Sequence, residues 1–283
     1  MKIHEAIAEG TQRLESSGVS NARQDAERLL ASELRKDRSY LLAHLQDPLR
    51  ELSEARFLSN IDARASGKPL QYLLGSQEFR GLEFEVTPDV LIPRPETELL
   101  VEEALKRFSA RKSLILDVGT GSGCIAVSLA VSLSQAQILA TDLSDAALVV
   151  AERNATRLGV ADRIQFLRGD LLLPLKPLGL EEKLDCIVSN PPYVAERHLP
   201  TLQREVRDWE PRIALSGGST GLAVYEQLIP ESLCYLRTGG FLIAEIGYNM
   251  QREVTNLFDS SWELEGIRED FSGIPRIVIA RRR

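Results

Sequence analysis

The first 66 residues carry apolar side chains at helical spacing. Residues three and four apart on an α-helix share a face, so such a stripe marks the side that packs against a neighbour. No segment in this part alternates with the period of two that a strand requires. We therefore expect a small antiparallel helix bundle and assign it residues 1–73. The stripes are formed by Ile3, Ala6, Ile7, Leu14, Ala22, Ala26, Leu29, Leu30 and Leu34.

The hydrophobic period changes to two shortly after residue 80. Leu82, Phe84 and Val86 alternate with polar residues, which predicts a half-buried strand. Gly81 separates this strand from residues 77–80, so the two segments are expected to form a β-hairpin. We interpret residues 74–92 as a hairpin that joins two domains.

From residue 113 onward, short apolar runs alternate with segments of helical period. This alternation predicts an α/β fold in which helices cover both faces of a mostly parallel sheet. We assign residues 93–283 to this second domain. The predicted strands cover 114–118, 137–141, 164–167, 185–189, 241–246, 262–267 and 276–280, and the predicted helices include 144–158, 221–236 and 250–258.

Composition and charge narrow the class of protein. The 283 residues are 43% hydrophobic and 27% charged, which is typical of soluble globular proteins. Residues 1–73 hold 11 basic and 11 acidic side chains, so the net charge of −7 comes from the remainder of the chain. This balance argues against a broad basic surface for nucleic acid. No apolar run of 18 residues predicts a membrane helix, and the first ten residues lack the apolar stretch of a secretion signal.

The three cysteines lie far apart in the sequence. Cys124, Cys186 and Cys234 form no CxxC pair, so neither a disulfide framework nor a bound metal is expected. A reducing compartment, the cytoplasm, fits this cysteine usage best.

A glycine-rich loop follows the first strand of the second domain. Glycines at such a point let the backbone turn tightly and approach a ligand closely. The spacing G-x-G-x-G differs from the dinucleotide fingerprint G-x-G-x-x-G, and a P-loop lysine is absent. We predict a cofactor-binding loop, with an unliganded turn as the alternative. The loop consists of Gly119, Thr120, Gly121, Ser122 and Gly123.

Acidic residues follow the next two predicted strands. Asp142 stands 23 residues after Gly119, near the spacing at which α/β folds place an acceptor for ribose hydroxyls. The alternative is that Asp142 caps the helix beginning at Ser144. Asp170 is expected at the same edge of the sheet, either as an acceptor for an adenine amino group or as a turn residue. Leu171 comes next and is a candidate for contact with the adenine.

The tetrapeptide Asn190-Pro191-Pro192-Tyr193 directly follows the fourth strand. Ligands of open α/β sheets lie at the carboxyl ends of strands, so it should face the same crevice as the glycine loop. The side-chain oxygen of Asn190 and the carbonyl of Pro191 could accept both hydrogens of a planar NH2 group, with the prolines stiffening the turn. The Tyr193 ring offers a flat stacking surface. Such a clamp suits methylation of the nitrogen of that NH2 group. We predict that these four residues bind the methyl acceptor and that Asn190, Pro191 and Tyr193 are catalytic. Asn190 is also expected to contact the cofactor.

Taken together, the motifs resemble the release-factor glutamine methyltransferases, the HemK/PrmC family. The resemblance implies S-adenosylmethionine as methyl donor, a seven-stranded class I methyltransferase sheet, and an N-terminal helical domain. We expect residues 1–73 to recognise the protein substrate, because this part is neutral and every cofactor-like motif lies beyond residue 113. It also implies that the acceptor is the glutamine of the Gly-Gly-Gln motif in class 1 peptide-chain release factors. The resemblance is carried by the segments 69–75, 90–98, 117–123, 140–142, 189–193 and 245–247, by Phe79 and Gly81, and by residues 210–211 with 214–215.

Several readings remain open on the sequence alone. The same tetrapeptide serves enzymes that methylate amino groups of adenine or cytosine in nucleic acid, although the acidic balance favours a protein substrate. A ribosomal-protein glutamine methyltransferase and a non-catalytic binder of S-adenosylmethionine are further alternatives. Arg94 is a candidate for substrate binding or for pinning the linker. We expect a monomer without a membrane or nucleic-acid partner.

Overall fold

A computed structural model of the chain describes residues 1–109 and 111–283. Its residues fall into two units, one made of 1–76 with 203–209 and the other of 77–202 with 210–283. The helices are α1 Ile3–Ser16, α2 Ala22–Leu34, α3 Arg38–Ala43, α4 Glu51–Ala65, α5 Leu70–Leu74, α6 Glu98–Phe108, α7 Cys124–Ser132, α8 Asp145–Arg157, α9 Arg204–Trp209, α10 Ala223–Tyr235 and α11 Gln251–Thr255. The strands are β1 Ser76–Phe79, β2 Leu82–Glu85, β3 Ser113–Val118, β4 Ala136–Asp142, β5 Ile164–Arg168, β6 Leu184–Ser189, β7 Leu236–Glu245, β8 Trp262–Glu269 and β9 Pro275–Arg282.

The first unit is a helical bundle with its own apolar core. Helices α1, α2 and α4 bury the predicted stripes, including Leu14 and Leu29, against Phe57 and Ile61. Gly10 lets α1 approach α4 closely, because a Cβ at this position would lie 2.8 Å from the Phe57 ring. The helical period in the sequence therefore identified the buried face correctly.

Helix α9 belongs to this first unit although it is distant in sequence. Arg64 donates to Asp25 at 2.8 Å and to Glu205 at 2.7 Å, and Lys68 lies 5.7 Å from the centre of the Trp209 ring. This grouping differs from the continuous domain 93–283 expected from the sequence. A six-residue helix shows too little periodicity to reveal which core it joins.

The second unit contains a seven-stranded sheet of order β5-β4-β3-β6-β7-β9-β8. The first five strands in this order are parallel, and β9 pairs antiparallel with both β7 and β8. Every predicted strand is present. The chain runs outward from β3 to β5 and then returns to β6 on the other side of β3. The carboxyl ends of β3 and β6 thus form a switch point, where open α/β sheets bind ligands.

Helices cover both faces of this sheet, as predicted. One core cluster contains Phe108 and Ile125, and a second contains Tyr225 and Leu228. The β1–β2 hairpin is part of the first cluster, because Phe79 and Phe84 are buried in it. Residues 77–92 of the predicted joint group with the second unit.

Candidate active site

A cavity of about 250 Å³ opens at the carboxyl ends of the parallel strands, within the second unit. Eight of the predicted site residues line it, and the structure therefore brings three sequence-distant motifs together. These residues are Gly119, Gly121, Asp142, Asp170, Leu171, Asn190, Pro191 and Pro192. Five predicted residues are not part of this lining: Arg94, Thr120, Ser122, Gly123 and Tyr193.

The glycine loop presents bare backbone to the cavity. Gly119 and Gly121 have φ angles of +72° and +56°, and a Cβ at either position would meet no atom within 4 Å. The loop is anchored beneath, since the N–H groups of Gly119 and Thr120 both donate to the Thr141 carbonyl, at 2.9 and 3.0 Å. A ligand can therefore approach the main chain of Gly119 and Gly121 without a side chain intervening.

The remaining loop residues support the turn from inside. The Thr120 hydroxyl donates to Asp117 at 2.7 Å, and the N–H of Ala126 donates to the same carboxyl oxygen at 3.1 Å. Burial raises the pKa of Asp117 to about 7. Gly123 caps the N-terminus of α7, where a Cβ would lie 3.0 Å from that of Ala151. The side chains of Thr120 and Ser122 are buried, so any contact of these two residues with a cofactor would be made by their main chain, and their predicted role stays a prediction.

Asp142 holds two backbone groups at the rim. Its Oδ2 accepts from the N–H of Gly121 at 2.8 Å, and its Oδ1 accepts from the N–H of Ser144 at 2.9 Å. Ser144 is the residue that caps α8, through a 3.2 Å bond from the N–H of Ala147. The alternative role of Asp142 as that helix cap is therefore wrong. Each carboxylate oxygen retains acceptor capacity for a further donor.

The turn after β5 is hydrogen-bonded to the main chain of Asp142. The N–H of Gly169 donates to the Asp142 carbonyl at 2.9 Å, which holds Asp170 and Leu171 at the cavity wall. Leu171 has a φ angle of +44°, an uncommon conformation for a residue with a side chain.

The amide of Asn190 is oriented by a neighbouring hydroxyl. Its Nδ2 donates to the Oγ1 of Thr97 at 3.0 Å, and in the described part of the chain no donor reaches its Oδ1. The residue before it, Ser189, donates to the Val118 carbonyl at 2.8 Å and so ties the end of β6 to β3. The side-chain oxygen of Asn190 is thus available to accept a hydrogen from a ligand.

Thr97 and Glu245 are site neighbours that the residue-by-residue reading of the sequence missed. The Thr97 hydroxyl donates to Oε2 of Glu245 at 2.6 Å, and the two residues are 1% and 2% exposed. Burial raises the pKa of Glu245 to about 7. The available signal was that both residues lie inside segments that carry the family resemblance, 90–98 and 245–247.

Tyr193 lies behind the cavity lining. It packs against the second core cluster, and burial raises its pKa. A Cβ at Gly247 would come within 2.8 Å of the Tyr193 ring, so the glycine makes room for it. Tyr193 is only partly buried, and its stacking role stays a prediction.

Arg94 forms an ion pair beside the cavity. Its Nη2 donates at 2.6 Å to Oε1 of Glu210, whose side chain is 1% exposed. The next residue, Pro211, lines the cavity. This pair favours the pinning role of Arg94 over direct contact with substrate.

Comparison with known proteins identifies the family. Residues 5–75 match the PrmC N-terminal domain, and residues 95–208 match the methyltransferase small domain. The release factor glutamine methyltransferase of Moorella thermoacetica is 45% identical over all of this chain and 99% of its own length. That of Geobacter sulfurreducens is 44% identical over 95% of this chain and 92% of its own. The chain belongs to the release factor glutamine methyltransferase family.

Solved structures agree with this family on the fold. A methyltransferase from Pyrococcus furiosus superposes with a TM-score of 0.52 at 19% identity, covering 82% of this chain and 98% of its own. The catalytic domain of hMettl16, solved with an RNA hairpin, gives 0.55 at 16% identity and covers 81% of both chains. At such identities the likeness concerns the fold, which is that of class I methyltransferases.

The cavity suits the methyl donor of this family. S-adenosylmethionine combines an adenosine group with a positively charged sulfonium. The bare backbone of Gly119 and Gly121 leaves room for the donor, and the carboxylates of Asp142 and Asp170 supply acceptors and negative charge.

Burial raises the pKa of Cys124 to about 12, so its thiol is not a nucleophile at neutral pH.

Within residues 1–109 and 111–283, every helix is too short or too polar to cross a membrane. Over the same residues, the histidine, cysteine and carboxylate side chains form no cluster that could hold a metal ion.

Proposed function

We propose that this protein transfers a methyl group from S-adenosylmethionine to the side-chain nitrogen, N5, of the glutamine in the Gly-Gly-Gln motif of class 1 release factors. Family membership supports the reaction and the substrate class. The observation that carries the proposal is the Asn190 amide. Asn190 lines the same cavity as the glycine loop and Asp142, and among residues 1–109 and 111–283 no donor reaches its side-chain oxygen.

The donor is held by Gly119, Gly121, Asp142, Asp170 and Leu171 in this proposal. When bound, S-adenosylmethionine supplies an electrophilic methyl group on a sulfonium that leaves as a neutral thioether. The chain itself binds, orients and dehydrates the reactants, because alignment of a weak nucleophile is the main requirement.

The acceptor is held by the tetrapeptide after β6. An amide nitrogen is a weak nucleophile, since its lone pair is delocalised into the carbonyl group. Hydrogen bonds from its two N–H groups to Asn190 Oδ1 and the Pro191 carbonyl would raise its electron density and fix its direction. One of the two N–H protons leaves after the methyl group is transferred, because the methylated nitrogen is then positively charged and acidic. Pro192 stiffens this turn. Arg94, joined to Glu210, holds the wall beside the acceptor.

The first unit is proposed to recognise the protein substrate. Its charges balance, and every residue assigned to the donor lies in the second unit. Action as a monomer, in the cytoplasm and without a nucleic-acid substrate, stays a prediction from the sequence. Methylation of adenine or cytosine is the alternative to be tested beside the main proposal.

The experiment measures methyl transfer from labelled S-adenosylmethionine to a release factor, to the same factor with the glutamine of its Gly-Gly-Gln motif replaced by alanine, and to DNA. We expect label only in the intact factor. Asn190→Ala should lower turnover roughly a hundredfold, because small misplacements of a reactant cost that much. Donor affinity should persist.

Asn256→Ala is the matched control, since Asn256 is exposed and remote from the cavity lining. It should behave as wild type. A wild-type rate for Asn190→Ala would disprove the amide clamp. Transfer to DNA but not to the release factor would establish the alternative.

A further inference from the structure

Three side chains from separate parts of the second unit form one hydrogen-bonded row. Asn190 follows β6, Thr97 lies in a short 3-10 turn before α6, and Glu245 ends β7. The Asn190 Nδ2 donates to the Thr97 Oγ1 at 3.0 Å, and that hydroxyl donates to the Glu245 Oε2 at 2.6 Å. Only the first residue of this row lines the cavity.

The direction of the row depends on the carboxylate at its far end. A hydroxyl both donates and accepts, so Thr97 alone could face either end of the Asn190 amide. An ionised carboxylate only accepts. Glu245 therefore accepts the hydrogen of the Thr97 hydroxyl. The Thr97 Oγ1 can then only accept a hydrogen from Asn190, so the NH2 group of the Asn190 amide, and not its oxygen, must face Thr97.

We propose that Thr97 and Glu245 are positioning residues that keep the Asn190 oxygen turned toward the acceptor amide. The inference rests on the proposed function, since it explains how the amide clamp is oriented. A flipped Asn190 has nearly the same shape but would present its own NH2 group to the substrate NH2 group. Two donors would then face each other, and the nitrogen would lose its alignment.

Glu245 is an unusual residue to bury unless it has such a role. A buried carboxylate is normally paired with a cation. The two arginines whose charge acts on Glu245 form their ion pairs elsewhere, because Arg94 pairs with Glu210, and Arg276 pairs with Asp270 and Glu96. Within the described residues, Glu245 has the Thr97 hydroxyl as its side-chain hydrogen-bond partner.

The backbone of Glu245 is held firmly by its surroundings. Its carbonyl accepts from the Tyr225 hydroxyl at 2.7 Å, and the following residue, Ile246, donates to the Arg276 carbonyl at 2.7 Å. Glu245 also pairs with Ile277 across the sheet. A carboxylate on such a rigid strand end can impose its geometry on a neighbour.

Thr97→Val and Thr97→Ser form the matched pair that tests this inference in the full-length protein. Valine keeps the shape and removes the hydroxyl, whereas serine keeps the hydroxyl. We expect Thr97→Val to lower kcat on a release factor roughly tenfold to a hundredfold. Donor affinity and KM for the release factor should stay near wild type. The unfolding temperature should fall, because Glu245 loses its hydrogen-bond partner, and Thr97→Ser should restore both kcat and stability. Equal rates for valine, serine and wild type would overturn the inference.

A pH profile supplies a second readout. Since burial raises the pKa of Glu245 to about 7, turnover of the wild type should rise as this carboxyl ionises between pH 6 and 8. The charged and titratable groups that face Glu245 are Glu96, Arg94, Arg276, Tyr193, Tyr225 and Cys124. Glu245→Gln keeps the shape but does not ionise. It should lower kcat and abolish this limb of the profile.

The two proposals fail in different ways. If wild-type protein methylates no release factor, the proposed function is wrong. If the wild type is active and Glu245→Gln keeps both its rate and its pH profile, the positioning role is wrong while the function stands. The second variant keeps the test decisive should Thr97→Val fold poorly.

Discussion

Replacing Asp142 tests the donor site most directly, because the backbone partners of both its carboxylate oxygens are known and the effect of losing each contact can be stated. The two oxygens accept from the N–H groups of Gly121 and Ser144, at 2.8 and 2.9 Å. We propose that the remaining lone pairs accept from the ribose hydroxyls of the donor. A hydrogen bond to a charged group contributes about 1.5–3 kcal/mol. Asp142→Ala should therefore weaken donor binding roughly tenfold to a hundredfold.

Asp142→Asn is the more informative variant. An amide has one acceptor oxygen, so its NH2 group would face the N–H of either Gly121 or Ser144. The NH2 group of the introduced asparagine would then face a backbone N–H group, two donors without an acceptor between them, and the glycine loop would have to shift. We expect Asp142→Asn to bind the donor no better than Asp142→Ala, although it is nearly isosteric with the wild type.

Calorimetric titration with S-adenosylhomocysteine provides the measurement, with thermal unfolding of each variant beside it. Asp145→Ala is the control. It removes the same charge at a position three residues after Asp142, and the Asp145 side chain is exposed and does not line the cavity. Wild-type affinity for Asp142→Ala would refute the ribose assignment. Wild-type affinity for Asp142→Asn would show that the two backbone contacts do not constrain the loop.

Two further predictions concern stability. The pKa of Glu245 is raised from 4.5 to about 7, so the folded state favours its protonated form and unfolding free energy falls as pH rises through this range. Glu245→Gln should match wild type near pH 4.5 and be more stable by about 3 kcal/mol above pH 8, measured by urea unfolding; a constant difference across pH would contradict this. Asn154 is fully buried and bonds the N–H and carbonyl of Glu85 and the Ser122 carbonyl. Asn154→Ala should lower the unfolding free energy by about 2–4 kcal/mol in the same assay, whereas the exposed Asn256→Ala should not.

The sheet and the motifs at its edge follow from local sequence signals. A strand reveals itself through a run of apolar residues, and helix α8 through its period and its cap at Ser144. The rule that parallel strands share one carboxyl edge then predicted that Gly119, Asp142 and Asn190 would meet, and all three line one cavity. These inferences succeed because each depends on neighbours within a few residues.

Side-chain direction within the loops could not be inferred in the same way. Thr120 and Ser122 alternate with the glycines of the loop, yet both side chains are buried. The Thr120 hydroxyl donates to Asp117, and the Ser122 carbonyl accepts from Asn154 of α8. Tyr193 likewise turns toward Gly247, which is 54 positions away in the numbering. The sequence contains these partners but not the distances between them.

The row from Asn190 to Glu245 shows what strand order adds. Its members are 93 and 148 residues apart along the chain, too far for any periodicity to connect them. In the sheet, β6 lies between β3 and β7, and Ser189 pairs with both Val118 and Ala244. The residues that follow, Asn190 and Glu245, are therefore brought to neighbouring strand ends by register alone. A sheet with β7 in any other position would leave the same tetrapeptide without its carboxylate, so the orientation of the clamp is a property of the topology and not of the motif.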